Sequence, residues 1–368
     1  MENMINPGMN GVPEEIAAPM AGFDTIIVAI LDQKGGVGKT TTTITLADIL
    51  AILGEPTLVI DMDPQANATS VLSYNYQDER NERGDGPRKN YRKGAYELLL
   101  GKEEPGSLVK TSVFNKLLQY VPAGDGLKNA DEELDGIKKL AEKYYEMING
   151  ENDLTESFKL ELMQYIKEQK DIPQNLLNAI GAEDREAIEV VSMLRDRIKP
   201  FIGRYKYILI DCCPAQNVIT KNAMVASDFV VSPVNAEGFS QDGIDTVLRN
   251  VYEMQKYNPD LMFGGAILTR VKSNVTMARQ MTNQFIADLE DDIVKRVIRE
   301  DNAVSVANTL GKPIYMSERR TKAGTDYIHV AYLLGLIDEG NFEYMLDQYG
   351  MKNDNYKFRF GTEAQEVQ

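Results

Sequence analysis

The chain is poor in cysteine, histidine and positive charge, and it has no long apolar run. Its two cysteines stand side by side at Cys212 and Cys213. Neighbouring thiols make poor structural staples and lack C-x-x-C metal spacing, so the usage points to a reducing, cytoplasmic setting. The one histidine, His329, falls in an apolar helical pattern and reads as a packing residue. Lysine and arginine number 40 against 56 aspartates and glutamates, a formal net charge of −16. That excludes a surface coated in basic charge for nucleic acid, though not a local basic patch. No stretch approaches the ~20 apolar residues of a membrane-spanning helix. Residues 1–22 carry Pro7, Gly8, Gly11, Pro13 and Pro19 without a basic start or a long apolar core, and read as a flexible tail, not a secretion signal. Internal repeats and low-complexity tracts are also missing.

What is present is an alternation of short apolar runs and helical patterns over 368 residues, enough to bury a large core. Strand-like runs lie at 26–31, 57–61, 207–211, 229–233 and 263–269, and 292–299 alternates as a sixth candidate. Helical patterns lie at 41–53, 216–226, 239–257, 275–289 and 321–335. This order predicts an α/β fold: a doubly wound, mostly parallel sheet with helices on both faces, binding its ligand at the carboxyl ends of the strands.

The stretch 75–200 departs from the scheme. Residues 76–93 read as an exposed loop, and Arg88-Lys89-Asn90-Tyr91-Arg92-Lys93 within it as a solvated run. Leu154, Phe158, Leu162 and Ile166 share one helix face, and Ile188, Val191, Leu194 and Ile198 share another. The expectation is one domain over 23–340 with a helical insertion at 131–185, followed by a C-terminal tail at 341–368.

The chemistry concentrates after the first run, in Gln33-Lys34-Gly35-Gly36-Val37-Gly38-Lys39-Thr40. Strand, glycine-rich turn and helix is the context of a phosphate-binding loop, whose N–H groups curl around an anion at a helix start. The spelling is unusual: Gln33 stands where that pattern has its first glycine, and Lys34 follows it. Lys39 is placed to reach the β- and γ-phosphates and the Thr40 hydroxyl to hold Mg²⁺. Two more strands end in carboxylates, at Asp61 with Asp63, and at Asp211. An aspartate closing an apolar strand is the Walker B arrangement, which holds Mg²⁺ through water, and the pair at 61 and 63 can orient an attacking water. Each alone equally suits a helix cap. Together with the loop they read as a metal and water site.

The segments 34–41, 61–69 and 207–215 resemble the deviant-Walker-A P-loop ATPases, specifically the ParA/Soj branch that partitions plasmids and chromosomes. Asp61-Met62-Asp63-Pro64-Gln65-Ala66-Asn67-Ala68-Thr69 is close to that branch's D-x-D-P-Q-G-N-A-T, and Gly311-Lys312-Pro313 matches its G-K-P. The likeness spans roughly 24–75, 94–130 and 190–337. It implies ATP bound along Lys34, Gly35, Gly36, Val37, Gly38, Lys39, Thr40 and Thr41, with Mg²⁺ supported by Thr40, Asp61 and Asp211. Lys34 is then the signature lysine that reaches the partner's nucleotide in a sandwich homodimer, and Asp63 positions the attacking water. Lys34, Lys39 and Asp63 form the catalytic set of a slow, switch-like ATPase.

The resemblance further implies a ParB-like partner, non-specific DNA binding by the ATP-bound dimer, no membrane, and a cytoplasmic protein that joins the nucleoid when ATP is bound. The family's arginine before G-K-P falls here at Ala303, so the candidate DNA contacts are Lys295, Arg296, Arg299, Arg319, Arg320 and Lys322. Rival readings are a MinD-like membrane-cycling ATPase, a P-loop tyrosine kinase, an iron–sulfur scaffold ATPase and a nucleotide-gated adaptor. The C-terminal alternation of Lys357, Phe358, Arg359 and Phe360 suits a membrane helix poorly. Tyr344, Tyr349 and Tyr356 are too scattered for a kinase tail, and the C-x-x-C of a scaffold is missing.

Overall fold

The computed structural model describes residues 22–73, 92–136, 190–235, 241–272 and 292–354, with positions 280, 282, 283, 286, 356 and 358. The basic run at 88–91 and most of the expected insertion, 137–185, lie outside the described residues, as do residues 1–21 of the expected N-terminal tail and nearly all of the helix expected at 275–289.

Strand β1 (Ile26–Ile30) leads through the glycine loop into α1 (Lys39–Ile52). Then come β2 (Thr57–Met62), α2 (Asn67–Leu72), α3 (Ala95–Leu100), α4 (Pro105–Leu108), β3 (Lys110–Thr111) and β4 (Leu118–Val121). After α5 (Met193–Arg197) follow β5 (Tyr207–Cys212), α6 (Val218–Val225), β6 (Phe229–Asn235), α7 (Gln241–Met254) and β7 (Met262–Thr269). The chain closes with α8 (Asn302–Thr309), α9 (Ile314–Ser317), α10 (Lys322–Leu333) and α11 (Glu339–Tyr349).

The sheet order is β3-β4-β2-β5-β1-β6-β7, parallel throughout except for the β3–β4 pair. Alternation along the strands divides the core. Ile27, Ala29, Ile60, Ile208 and Ile210 face the layer built by α3, α5, α6 and α7. Val28, Ile30, Val59, Tyr207 and Leu209 face α1, α10 and α11. A strand buried on both faces shows no polar alternation, which is why these runs read as continuous apolar segments. Among the described residues no helix is long and apolar enough to cross a membrane.

Three differences from the sequence reading have physical causes. Strands β3 and β4 went unseen because they are two and four residues long and Gln119 interrupts the apolar run of β4. The sixth candidate strand meets β7 and the residues just after it at single bridges, Ala266 with Ile293 and Val271 with Arg299, and not as a full ladder. The expected tail from 341 begins inside α11, whose Met345 is fully buried and whose Phe342 and Leu346 pack on the α1 layer.

Candidate functional site

Loops 31–38, 63–66 and 213–217 leave the carboxyl ends of β1, β2 and β5, which are adjacent in the sheet. Strand β1 lies between β5 and β6, where the chain changes direction across the sheet, and that is the expected ligand crevice. Gly36 and Gly38 take φ of 75° and 99°, which a side chain would resist, so the loop curls before α1 begins. The run Thr40-Thr41-Thr42-Thr43 has modest helix propensity. It is helical because α1 is buried along almost its whole length.

The expected residues converge. Lys39 is 7% exposed, and its Nζ donates to the Lys34 carbonyl at 2.9 Å. The Lys34 side chain is exposed at the rim of the loop, Thr41 is half-buried, and Gly35 has open space around it. Thr40 Oγ1 donates to Asp211 Oδ2 at 2.8 Å across 171 residues of sequence, and Thr43 Oγ1 donates to Asp211 Oδ1 at 3.1 Å. Asp61 accepts from the Thr69 amide (2.7 Å), the Thr69 hydroxyl (2.6 Å) and the Asp63 amide (3.1 Å). Asp63 Oδ1 accepts from the Gln65 amide at 2.9 Å, which bends the chain towards α2. Ala66, where the resembling motif has glycine, completes that bend at φ 55°. Holding a non-glycine residue there costs about 1 kcal/mol.

The electrostatics are those of a cation site. Asp61 and Asp211 are fully buried and paired in register on β2 and β5. Burial first, then their mutual repulsion, holds Asp211 far above the ordinary carboxylate range. Burial likewise raises Asp61, offset in part by its bonds from Thr69 and Asp63. Neutral hydroxyls and amides supply their hydrogen bonds, so the pair ionises fully only when a cation joins it. One hydroxyl and one carboxylate beside a phosphate loop suit Mg²⁺, which keeps most of its waters and takes few protein ligands.

Several contributors were missed in the sequence. Thr43 lies one helical turn from Thr40 on the same face, a signal the i, i+3 spacing offered. Thr269, the last residue of β7, donates to the loop carbonyl of Val37 at 2.8 Å and to Val234 at 3.2 Å; its place at a strand's carboxyl end was the clue. Asp32 accepts from the Lys34 amide at 2.7 Å and the Ser232 hydroxyl at 3.3 Å. Asp131, in the helix at 130–136, accepts from Asn217 Nδ2 at the cap of α6.

The basic candidates divide. Arg296 and Arg299 are 7% and 3% exposed, and both bind Asp326 and Asp354. Their guanidinium groups are thereby withdrawn from the surface, which corrects their placement among the nucleic-acid contacts. Lys295, Arg319 and Lys322 are exposed and Arg320 is half-buried. Arg319 bonds to Gln348, and Arg320 to the carbonyls of Asp347 and Gly350. Ala303 is buried in α8, whose exposed positions are Asn302, Ser305, Val306, Asn308 and Thr309, followed by exposed Leu310 at its C-cap, with no charge among them.

A family model described as the CobQ/CobB/MinD/ParA nucleotide binding domain matches residues 28–314. The sporulation initiation inhibitor protein Soj of Bacillus subtilis is 28% identical over 306 residues, covering 83% of this chain and 96% of Soj. In fold, the chain is similar to a plasmid partition protein of Borrelia burgdorferi bound to AMPPNP, with a TM-score of 0.55 at 21% identity over 85% of this chain and 100% of that one. It is also similar to a cobyrinic acid a,c-diamide synthase of Mycobacterium smegmatis with bound ADP and magnesium, with a TM-score of 0.54 at 22% identity over 80% and 93%.

Proposed function

The chain belongs to the CobQ/CobB/MinD/ParA nucleotide-binding family, and within it we propose that the protein is an ATP-hydrolysing DNA-partition protein of the ParA/Soj type. The observation that carries the ATPase part is the convergence of Lys39, Thr40 and Asp211 with Asp63 at three adjacent strand ends. The partition part rests on the likeness to the chromosome partitioning protein ParA of Myxococcus xanthus, 28% identical over 83% of this chain and 87% of that protein.

In this reading the curled loop and Lys39 hold the triphosphate, with the start of α1 as an anion-binding end. Thr40 and Asp211 hold Mg²⁺, with Asp61 acting through water and fixing Asp63 and Thr69 in place. The metal neutralises charge on the phosphate oxygens. Asp63 orients the attacking water and accepts its proton. Lys34, exposed at the rim of the loop, reaches the nucleotide of a second copy, so ATP joins two protomers and hydrolysis parts them. The dimer binds DNA without sequence preference through Lys295, Arg319, Arg320 and Lys322, and a ParB-like protein stimulates its turnover. The protein is then cytoplasmic and held on the nucleoid while ATP is bound.

A second reading, a nucleotide-gated adaptor, is favoured by one observation: the family's arginine position is a buried alanine, and the α8 face beside it bears Val306 at 50% and Leu310 at 40% exposure. The test is light scattering with and without AMPPNP on the wild type and Lys34→Ala, followed by DNA binding at low and high salt. An AMPPNP-dependent dimer that shifts DNA only at low salt supports partition. A dimer that never binds DNA supports the adaptor. Monomers throughout, or unchanged ATP affinity in Lys39→Ala, overturn the site assignment.

A further inference from the structure

The loop at 213–217 lies beside the residue assigned to the attacking water. Met62 pairs with Cys212 at the end of the β2–β5 ladder, so the next residues, Asp63 and Cys213, leave the sheet side by side. Asn217 is the knot of that loop. Its Oδ1 accepts from the Thr220 amide at 3.0 Å and so caps α6, and the Thr220 hydroxyl donates to the Ala215 carbonyl at 2.7 Å. The cap uses only the oxygen of the Asn217 side chain. Its Nδ2 donates to Cys213 Sγ at 3.7 Å and to Asp131 Oδ2, 86 residues earlier in the chain. Asp131 is held from behind. Ala130 and Leu134 of its helix are fully buried, and Glu133 accepts from the Tyr96 hydroxyl of α3 and from Lys102 Nζ at 3.0 Å. Asp131 Oδ1 is buried without a hydrogen-bond partner, which costs stability, so this contact is a poor device for stability alone.

We propose that Asp131 is a positioning residue for the ATPase site, a brace that ties the loop beside Asp63, through Asn217, to the helix at 130–136 and to α3 behind it. This deepens the ATPase reading and rests on it. Asp131 acts through Asn217 and not on the nucleotide. The Asn217 side chain sets where Cys213, Pro214 and Ala215 run. Loosening that loop misplaces the groups around the attacking water, which costs turnover far more than nucleotide affinity, because the phosphates are held from the end of β1.

The two cysteines of the chain supply a reporter that needs no nucleotide. Cys212 is 1% exposed within β5 and Cys213 6% exposed in the loop, so thiol labelling of the folded protein reads the loop. Ellman's reagent is applied to the wild type, Asp131→Ala, Asn217→Asp and the double variant Asp131→Asn with Asn217→Asp, and Cys213→Ser identifies the thiol. Urea titration first fixes conditions in which every variant is folded. Asp131→Ala removes the acceptor, and Asn217→Asp sets two carboxylates against each other. Both should label about tenfold faster, and their turnover at saturating ATP should fall about tenfold with the ATP dissociation constant within about twofold of wild type. The double variant restores one donor and one acceptor and keeps the cap of α6, so labelling and turnover should return to within about threefold of wild type. Unchanged labelling in Asp131→Ala overturns the brace. Faster labelling with unchanged turnover leaves a structural contact only and overturns the positioning role. A double variant no better than Asn217→Asp overturns it as well. If the wild type does not hydrolyse ATP, the ATPase reading fails and the positioning role with it, and the labelling rates tell that failure apart from failure of the brace.

Discussion

Among the described residues two buried clusters of charged side chains are built on opposite rules. At the carboxyl end of the sheet, Asp61 and Asp211 sit together at zero exposure, partnered by the hydroxyls of Thr40, Thr43 and Thr69 and by backbone amides. At the β7 edge, Arg296 and Arg299 meet Asp326 and Asp354, two positive groups against two negative ones, with Tyr356 lying 3.5 Å beneath the Arg296 guanidinium. In the second cluster the outcome follows depth. Burial wins over pairing at Asp326 and raises it, whereas at the more open Asp354 the hydrogen bonds from the two arginines overcome burial and lower it. The edge cluster closes on itself and ties Asp354 and Tyr356 to the domain. The strand-end cluster pairs two carboxylates with only neutral donors around them, so burial and mutual repulsion favour uptake of a proton or a bound cation. Two unanswered carboxylates meeting at the ligand end mark the functional site, and charge compensated in place marks structure.

The sharpest way to break this contrast is Asp211→Asn. If the strand-end pair is held for function at a cost to the fold, turnover should drop by more than about a hundredfold, while relief of like-charge burial leaves the protein more resistant to urea. A variant that is less stable and still active would put the pair in the structural class. Asp326→Ala is the counterpart at the edge. It strips the carboxylate from two buried guanidinium groups and should cost about 3–5 kcal/mol in urea unfolding.

Asp48 sharpens the contrast from a third side. It is fully buried in α1, neither oxygen has a hydrogen-bond partner, and burial alone pushes it up to about 7. Its folded state therefore prefers the protonated acid. The contribution is fully present below the unfolded value near 4 and is lost as pH rises through 7. Asp48→Leu should therefore gain about 3 kcal/mol over wild type at pH 8, a gain that shrinks towards pH 4 when unfolding is followed at both values. The smallest effect expected is that of Thr269→Val, which removes the bonds to Val37 and Val234. It should cost about 1 kcal/mol in stability and loosen ATP severalfold in a nucleotide titration.

Much of the ligand end was readable in the chain. The loop, Asp61, Asp63 and Asp211 each follow a short apolar run, and that local pattern brings all of them to one end of a parallel sheet. Thr269 and Asp32 were not singled out, because a threonine closing a strand and an aspartate before a glycine turn are ordinary until the loop is seen resting on them. Arg296 and Arg299 show the opposite error. Their neighbours in sequence suggested an exposed basic stretch, but their counter-charges come from positions 27 to 58 residues away.

Periodicity, glycine placement and strand-terminal carboxylates are local properties, so the α/β order and the phosphate loop were already legible in the amino-acid sequence. Which charges are answered is not a local property. It depends on which side chains the packing of α10, the C-terminal segment and the strand ends brings within a few ångströms in a medium that water does not screen. Folding alone separated the closed arginine cluster from the open aspartate pair.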